Sequence, residues 1–146
     1  MSYVEHQHIK EWLTQHEHQI LDAEYSKSLE SYLDTLPWDP SRIRWSDIPH
    51  QSVQIPDSPG VNFLHECLNT TMGAHEFTMI TYNGSDRSIL CRTEEALLDI
   101  DLLYGRAPGP RYFCGVDRVD EQIILHSQDF GEYDIPKLTF RIAERS

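Results

Sequence analysis

The stretch that decides the fold is His75-Glu76-Phe77-Thr78-Met79-Ile80-Thr81-Tyr82, followed by Asn83-Gly84-Ser85-Asp86 and then by Ser88-Ile89-Leu90-Cys91-Arg92. β-Branched and aromatic side chains fit a pleated, half-buried surface. Asn-Gly between two such runs is a hairpin signal, because both residues tolerate the positive φ that a tight primed turn requires. The stretch therefore predicts two antiparallel strands. Thr93 is then placed to cap a helix carrying Glu94, Glu95, Ala96, Leu97, Leu98, Ile100, Leu102 and Leu103, with Gly105 as its stop.

Toward the C-terminus the pattern continues as sheet, with strands expected over residues 111–116, 122–127 and 137–143. The last alternates, placing Leu138, Phe140 and Ile142 on one face and Thr139 and Arg141 on the other. Toward the N-terminus the period changes. Ile9, Trp12, Leu13, His16, Ile20, Leu21, Tyr25, Leu29, Tyr32, Leu33 and Leu36 step by three or four, and neither Gly nor Pro interrupts residues 4–36. One long amphipathic helix or two consecutive ones fit this stripe, which Pro37 and Pro40 terminate. Residues 37–60 hold five prolines together with Trp38, Ile43, Trp45 and Ile48, and read as an irregular connector that wraps the core. A short helix is expected over residues 61–72, ended by Gly73. The expected class is α+β: an N-terminal helical region followed by a mostly antiparallel sheet of about five strands with one inserted helix.

The chain has 146 residues, a size that fits a single domain over residues 1–146 with one real core. Its 15 aromatic residues are spread along the whole length and argue against intrinsic disorder. Twelve Lys and Arg stand against 24 Asp and Glu, a net charge of −12. Binding of nucleic acid or of an anionic membrane depends on Lys and Arg neutralising phosphates, so both are excluded as expected partners. The opening residues, Met1 to His6, contain neither a basic nor an apolar segment of a secretory signal. Cys67, Cys91 and Cys114 are odd in number and far apart, which suggests neither a disulfide framework nor a zinc knuckle. The expectation is a cytoplasmic protein with buried thiols.

No catalytic or cofactor motif stands out. Four of the eight histidines fall near the start, as His6-Gln7-His8 and His16-Glu17-His18. An HxH pair in a helix points its rings about 200° apart, whereas metal ligands on a helix need i, i+3 or i+4 spacing. His8 and His16 share a face, but it is the face of Trp12 and Ile20, which the stripe turns toward the core. Glu11, His18 and Asp22 make a polar stripe best read as a solvated face. No metal ligand and no cofactor is therefore assigned from the sequence. The alternative reading is a small metal- or ligand-binding domain that uses this His-rich helix.

The charge distribution is more informative. Residues 94–134 carry ten acids against Arg106, Arg111 and Arg118, and residues 1–41 carry eight acids against two lysines. Aromatics interleave with the acids, as in Asp129-Phe130-Gly131-Glu132-Tyr133-Asp134. Aromatic anchors within an acidic rim suit a loop that docks on a cationic cleft. The expected partner-binding residues are Glu94, Glu95, Asp99, Asp101, Tyr112, Asp117, Asp120, Glu121, Asp129, Phe130, Glu132, Tyr133 and Asp134. No catalytic residue is assigned. Strong net charge also favours a monomer or a weak dimer.

With its acid-plus-aromatic segments, Asp117 to Glu121 and Phe130 to Asp134, the chain resembles the small acidic immunity proteins of bacterial toxin–immunity pairs. The resemblance implies a stoichiometric inhibitor without chemistry of its own. Its expected partner is a basic toxin enzyme whose active site it occludes.

Overall fold

All four residues of the strand Phe77–Ile80 are buried, because it lies between two other strands with packed layers on both faces. This computed structural model describes residues 3–57, 60–104, 111–134 and 139–144. The expected loop at residues 105–110 and the first two residues of the last expected strand, 137 and 138, lie outside that set.

In chain order the elements are α1 (Gln7–Thr14), β1 (His18–Leu21), α2 (Ala23–Leu33), β2 (Trp38–Asp39), β3 (Arg42–Ile43), β4 (His50–Gln54) and α3 (Val61–Leu68). They continue with β5 (Phe77–Ile80), β6 (Ser88–Arg92), α4 (Thr93–Leu98), α5 (Ile100–Tyr104), β7 (Arg111–Val119), β8 (Gln122–Asp134) and β9 (Thr139–Ala143). Short 3-10 turns sit at Tyr3–Glu5, Trp45–Asp47 and Thr71–Ala74. The class is α+β. Seven strands form one sheet in the order β1-β6-β5-β7-β8-β9-β4, every pair antiparallel, while β2 and β3 form a separate ribbon.

Period-two alternation sends side chains to two cores. Ile80, Ile89, Cys91, Phe113, Tyr133, Phe140 and Ile142 pack with α1, α3, α4 and α5 on one face. Met79, Leu90, Cys114, Val116 and Phe130 pack with α2, Ile43 and Trp45 on the other. Cross-strand neighbours such as Ile80 and Ile89, or Met79 and Leu90, enter the same core, as pairing across a pleated sheet requires.

β5 and β6 pair where the sequence predicts two antiparallel strands, but residues 81–87 join them and neither Asn83 nor Gly84 takes positive φ, so the expected tight primed turn is not formed. The expected last strand is present in its described part. Several expectations are corrected. The apolar stripe over residues 4–36 is not continuous helix: His18–Leu21 leaves it to pair with Ser88–Cys91 at the sheet edge. His8 is exposed and His16 half-exposed, so neither ring lies in the core. His18 lies in β1 and Asp22 caps α2 by accepting from the Glu24 backbone N–H, so neither shares a helix face with Glu11. The connector supplies sheet as well, for β4 pairs with β9 through Val53 and Phe140. With β1 and β4 added, the sheet has seven strands rather than about five. The inserted helix breaks at Asp99 into α4 and α5. Thr93 does not cap α4; its hydroxyl donates to the His75 carbonyl and shares a hydrogen bond with Thr78. No helix among the described residues is long and apolar enough to cross a membrane.

Candidate functional site

Two features of β7 and β8 shape one end of the sheet. The first is a two-stranded arm. Phe77 pairs with Val116, so residues 117–119 run past the end of β5, and β9 pairs only with residues 131–134 of β8. The arm closes at Val119 and Gln122 through Asp120 and Glu121, whose φ values of 48° and 70° are both left-handed. A two-residue primed turn needs that conformation, and here two acidic side chains adopt it, at a cost of about 1–3 kcal/mol each. Val119 (54% exposed) and Ile124 (45%) leave apolar surface beside the tip.

The second feature is a bulge. Cys114 faces Phe130 but Gly115 faces His126, so residues 127–129 are extra on β8. A bulge re-aims side chains, and this one turns Asp129 inward. Its carboxylate, 0% exposed, lies 2.6 Å from Nε2 of His75, itself 3% exposed at the entrance to β5. His75 Nδ1 is 3.4 Å from Asp117 Oδ1, and Asp117 Oδ2 is 2.8 Å from His126 Nε2. The two imidazole centroids are 4.7 Å apart. Each ring nitrogen of His75 thus faces a carboxylate oxygen. Burial alone pushes the Asp117 carboxyl up, but hydrogen bonds from His126 and His75 hold it below its ordinary value.

His75 also lines a cleft of about 350 Å³ with Leu68, Glu76, Arg92, Glu94 and Glu95. Oε1 of Glu95 is buried without a hydrogen-bond partner among the described residues. Arg92 is held by Glu76 at 2.6 Å and by Glu17 at 3.1 Å, and Arg118 by Glu17 at 2.9 Å. Hydrogen bonds from Arg118 and Arg92 lower the Glu17 carboxyl accordingly. Glu94 and Glu95 line the cleft with His75, and His75 in turn contacts Asp117 and Asp129. Asp120 and Glu121 project beyond them.

The remaining expected residues lie elsewhere. Asp99 accepts from the Trp12 indole at 2.8 Å, and Asp101 accepts from the Tyr133 hydroxyl. Tyr112 is half-buried and edge-on to Trp38. The expectation of an exposed docking loop at residues 129–134 is corrected, since these residues form the buried end of β8. Phe130 (1% exposed) stacks on Trp45, and Tyr133 (3%) stacks on Tyr104. Glu132 and Asp134 share the Arg141 guanidinium at 3.2 and 2.8 Å, and Arg42 adds a 3.0 Å contact to Asp134. Asp129, Glu132 and Asp134 thus serve internal pairing, and Phe130 and Tyr133 serve the two cores.

The N-terminal histidines do not converge. Nδ1 of His16 contacts the Trp12 carbonyl and its ring stacks on Trp12, while Nδ1 of His18 contacts the His16 carbonyl. The histidines that do meet, His75 and His126, escaped sequence reasoning because their carboxylate partners are nine to 54 residues away. The one available signal was a titratable residue inside each of two expected strands. No family model matches the chain, and a comparison with curated proteins finds no match either.

Proposed function

We propose that this protein is a non-catalytic binding protein that captures a basic protein partner, as an immunity protein captures a toxin. The proposed surface runs from the cleft at Glu94 and Glu95 along the arm to Asp120 and Glu121. One observation carries the reading: Glu94, Asp120 and Glu121 are exposed and have no cationic partner among the described residues, while the neighbouring Arg92 and Arg118 are already neutralised. Unspent carboxylates on a fixed framework attract a cationic surface over a distance, and such steering raises association rates by about 10- to 1,000-fold. Exposed Val119 and Ile124 add an apolar centre that these acids rim. A lysine or arginine entering the cleft would also satisfy Oε1 of Glu95.

The test is coexpression with a basic protein encoded beside this one, followed by association kinetics at low and high salt. The reading expects a one-to-one complex whose association slows steeply with salt. An acidic partner, or a rate indifferent to salt, overturns it.

A further inference from the structure

We propose that His75, His126 and Asp129 bind a divalent transition-metal ion, with Asp117 holding the two imidazoles in place. One ligand atom from each of the three residues lies within 4.8 Å of the other two, the one such group among the described residues. Two imidazoles and one carboxylate suit zinc and its first-row neighbours, whereas calcium and magnesium select all-oxygen sets. Two of the ligands are enclosed, and His126, 25% exposed, forms the side open to water and to the entering ion. The ion would take the place of the direct 2.6 Å contact between His75 Nε2 and Asp129. Ligand atoms on a tetrahedral zinc ion stand about 3.3 Å apart, so this pair separates by only about 0.7 Å on loading. Asp117 contacts both rings, the support that fixes an imidazole ligand's orientation. The bulge that turns Asp129 inward thereby gains a role beyond packing, because an ion here ties the arm to the entrance of β5. The proposal stands apart from the partner-binding reading and survives its failure.

The test is titration of the chelator-treated full chain with zinc chloride, read by calorimetry and by thermal melting. One ion per chain and a raised melting temperature are expected. His126→Ala, at a partly exposed position, should weaken binding by tenfold or more, and Asp117→Asn by about tenfold. The triple variant His6→Gln, His8→Gln, His18→Gln should bind as the native chain does. Absence of saturable binding, native affinity in His126→Ala, or loss of binding in the triple variant would each overturn the assignment. Native affinity in Asp117→Asn would remove Asp117 from its positioning role.

Discussion

A Cβ on Gly115 would fall 2.1 Å from Cδ2 and 2.7 Å from Nε2 of His75. The missing side chain is what lets the imidazole lie against β7 and reach Asp129. Gly115→Ala must therefore displace a ring that is enclosed on its other sides, breaking its 2.6 Å contact with Asp129. Overpacking of this kind costs about 1–3 kcal/mol, to be read as a lower denaturant midpoint at unchanged slope. An unchanged midpoint would mean that the ring has another place to go.

The three cysteines should be inert in the folded protein. Burial, and secondarily a nearby carboxylate, pushes the thiols of Cys67, Cys91 and Cys114 each up to about 12. At pH 8 only roughly one molecule in ten thousand then carries the reactive thiolate at a given site. A thiol reagent should find no reactive group in the native protein and three in denaturant, without prior reduction. Fewer than three would reveal a disulfide and contradict the reading of buried free thiols.

Glu132 and Asp134 should respond to acid in opposite senses. Burial would push Asp134 up, but Arg141 and Arg42 hold it below the ordinary aspartate value. Its stabilisation is present above the unfolded-state value of about 3.9 and is lost as pH falls through the lower folded value. Asp134→Asn should cost about 1.5–3 kcal/mol at neutral pH, a deficit that narrows in strong acid. Glu132 is raised, chiefly by burial, so the fold disfavours its ionised form. That contribution is favourable below the unfolded glutamate value and is lost as pH rises through the folded one. Glu132→Gln should be neutral or stabilising at pH 7, with no such gain in acid. Urea melts of both variants from pH 3 to pH 7 check the signs.

Local chemistry accounts for what was legible in the sequence. The β5 and β6 strands follow from two β-rich runs on either side of a polar turn segment, and β9 from its alternation of apolar and polar residues. The edge strand β1 was hidden because Ile20 and Leu21 continue a helical period, and nothing local records that Ser88–Cys91 lies alongside. The acids of β8 were misread for a related reason. Asp134 is neutralised by Arg42, 92 residues away, so its segment looks exposed in sequence and is buried in the fold. Arg141, on the face of β9 opposite Phe140, was the nearer clue. Glu94, Asp120 and Glu121 are exposed, as their acidic segments suggest, because no remote cation among the described residues claims them.

One experiment should separate these two groups of acids. Neutralising Glu94, Glu95, Asp120 and Glu121 as Glu94→Gln, Glu95→Gln, Asp120→Asn and Glu121→Asn removes charge from the proposed surface without breaking an ion pair among the described residues. At the exposed positions 94, 120 and 121 such changes alter stability by about 0.5 kcal/mol or less each, and at Glu95, whose Oε1 is buried, the loss of an unpaired charge also favours the variant. Association with the basic partner should slow roughly tenfold at low salt and lose most of its salt dependence, while dissociation changes little. Glu121→Asn also suits the left-handed turn, since Asn adopts positive φ more readily than Glu, so the arm keeps its shape. The buried pair behaves oppositely. Asp129→Asn with Asp134→Asn removes the carboxylates that contact His75, Arg42 and Arg141, and lowers the melting temperature before any kinetic effect appears. If instead the buried pair slows association in a protein that melts normally while the exposed four leave it untouched, the arm and cleft are not the contact surface.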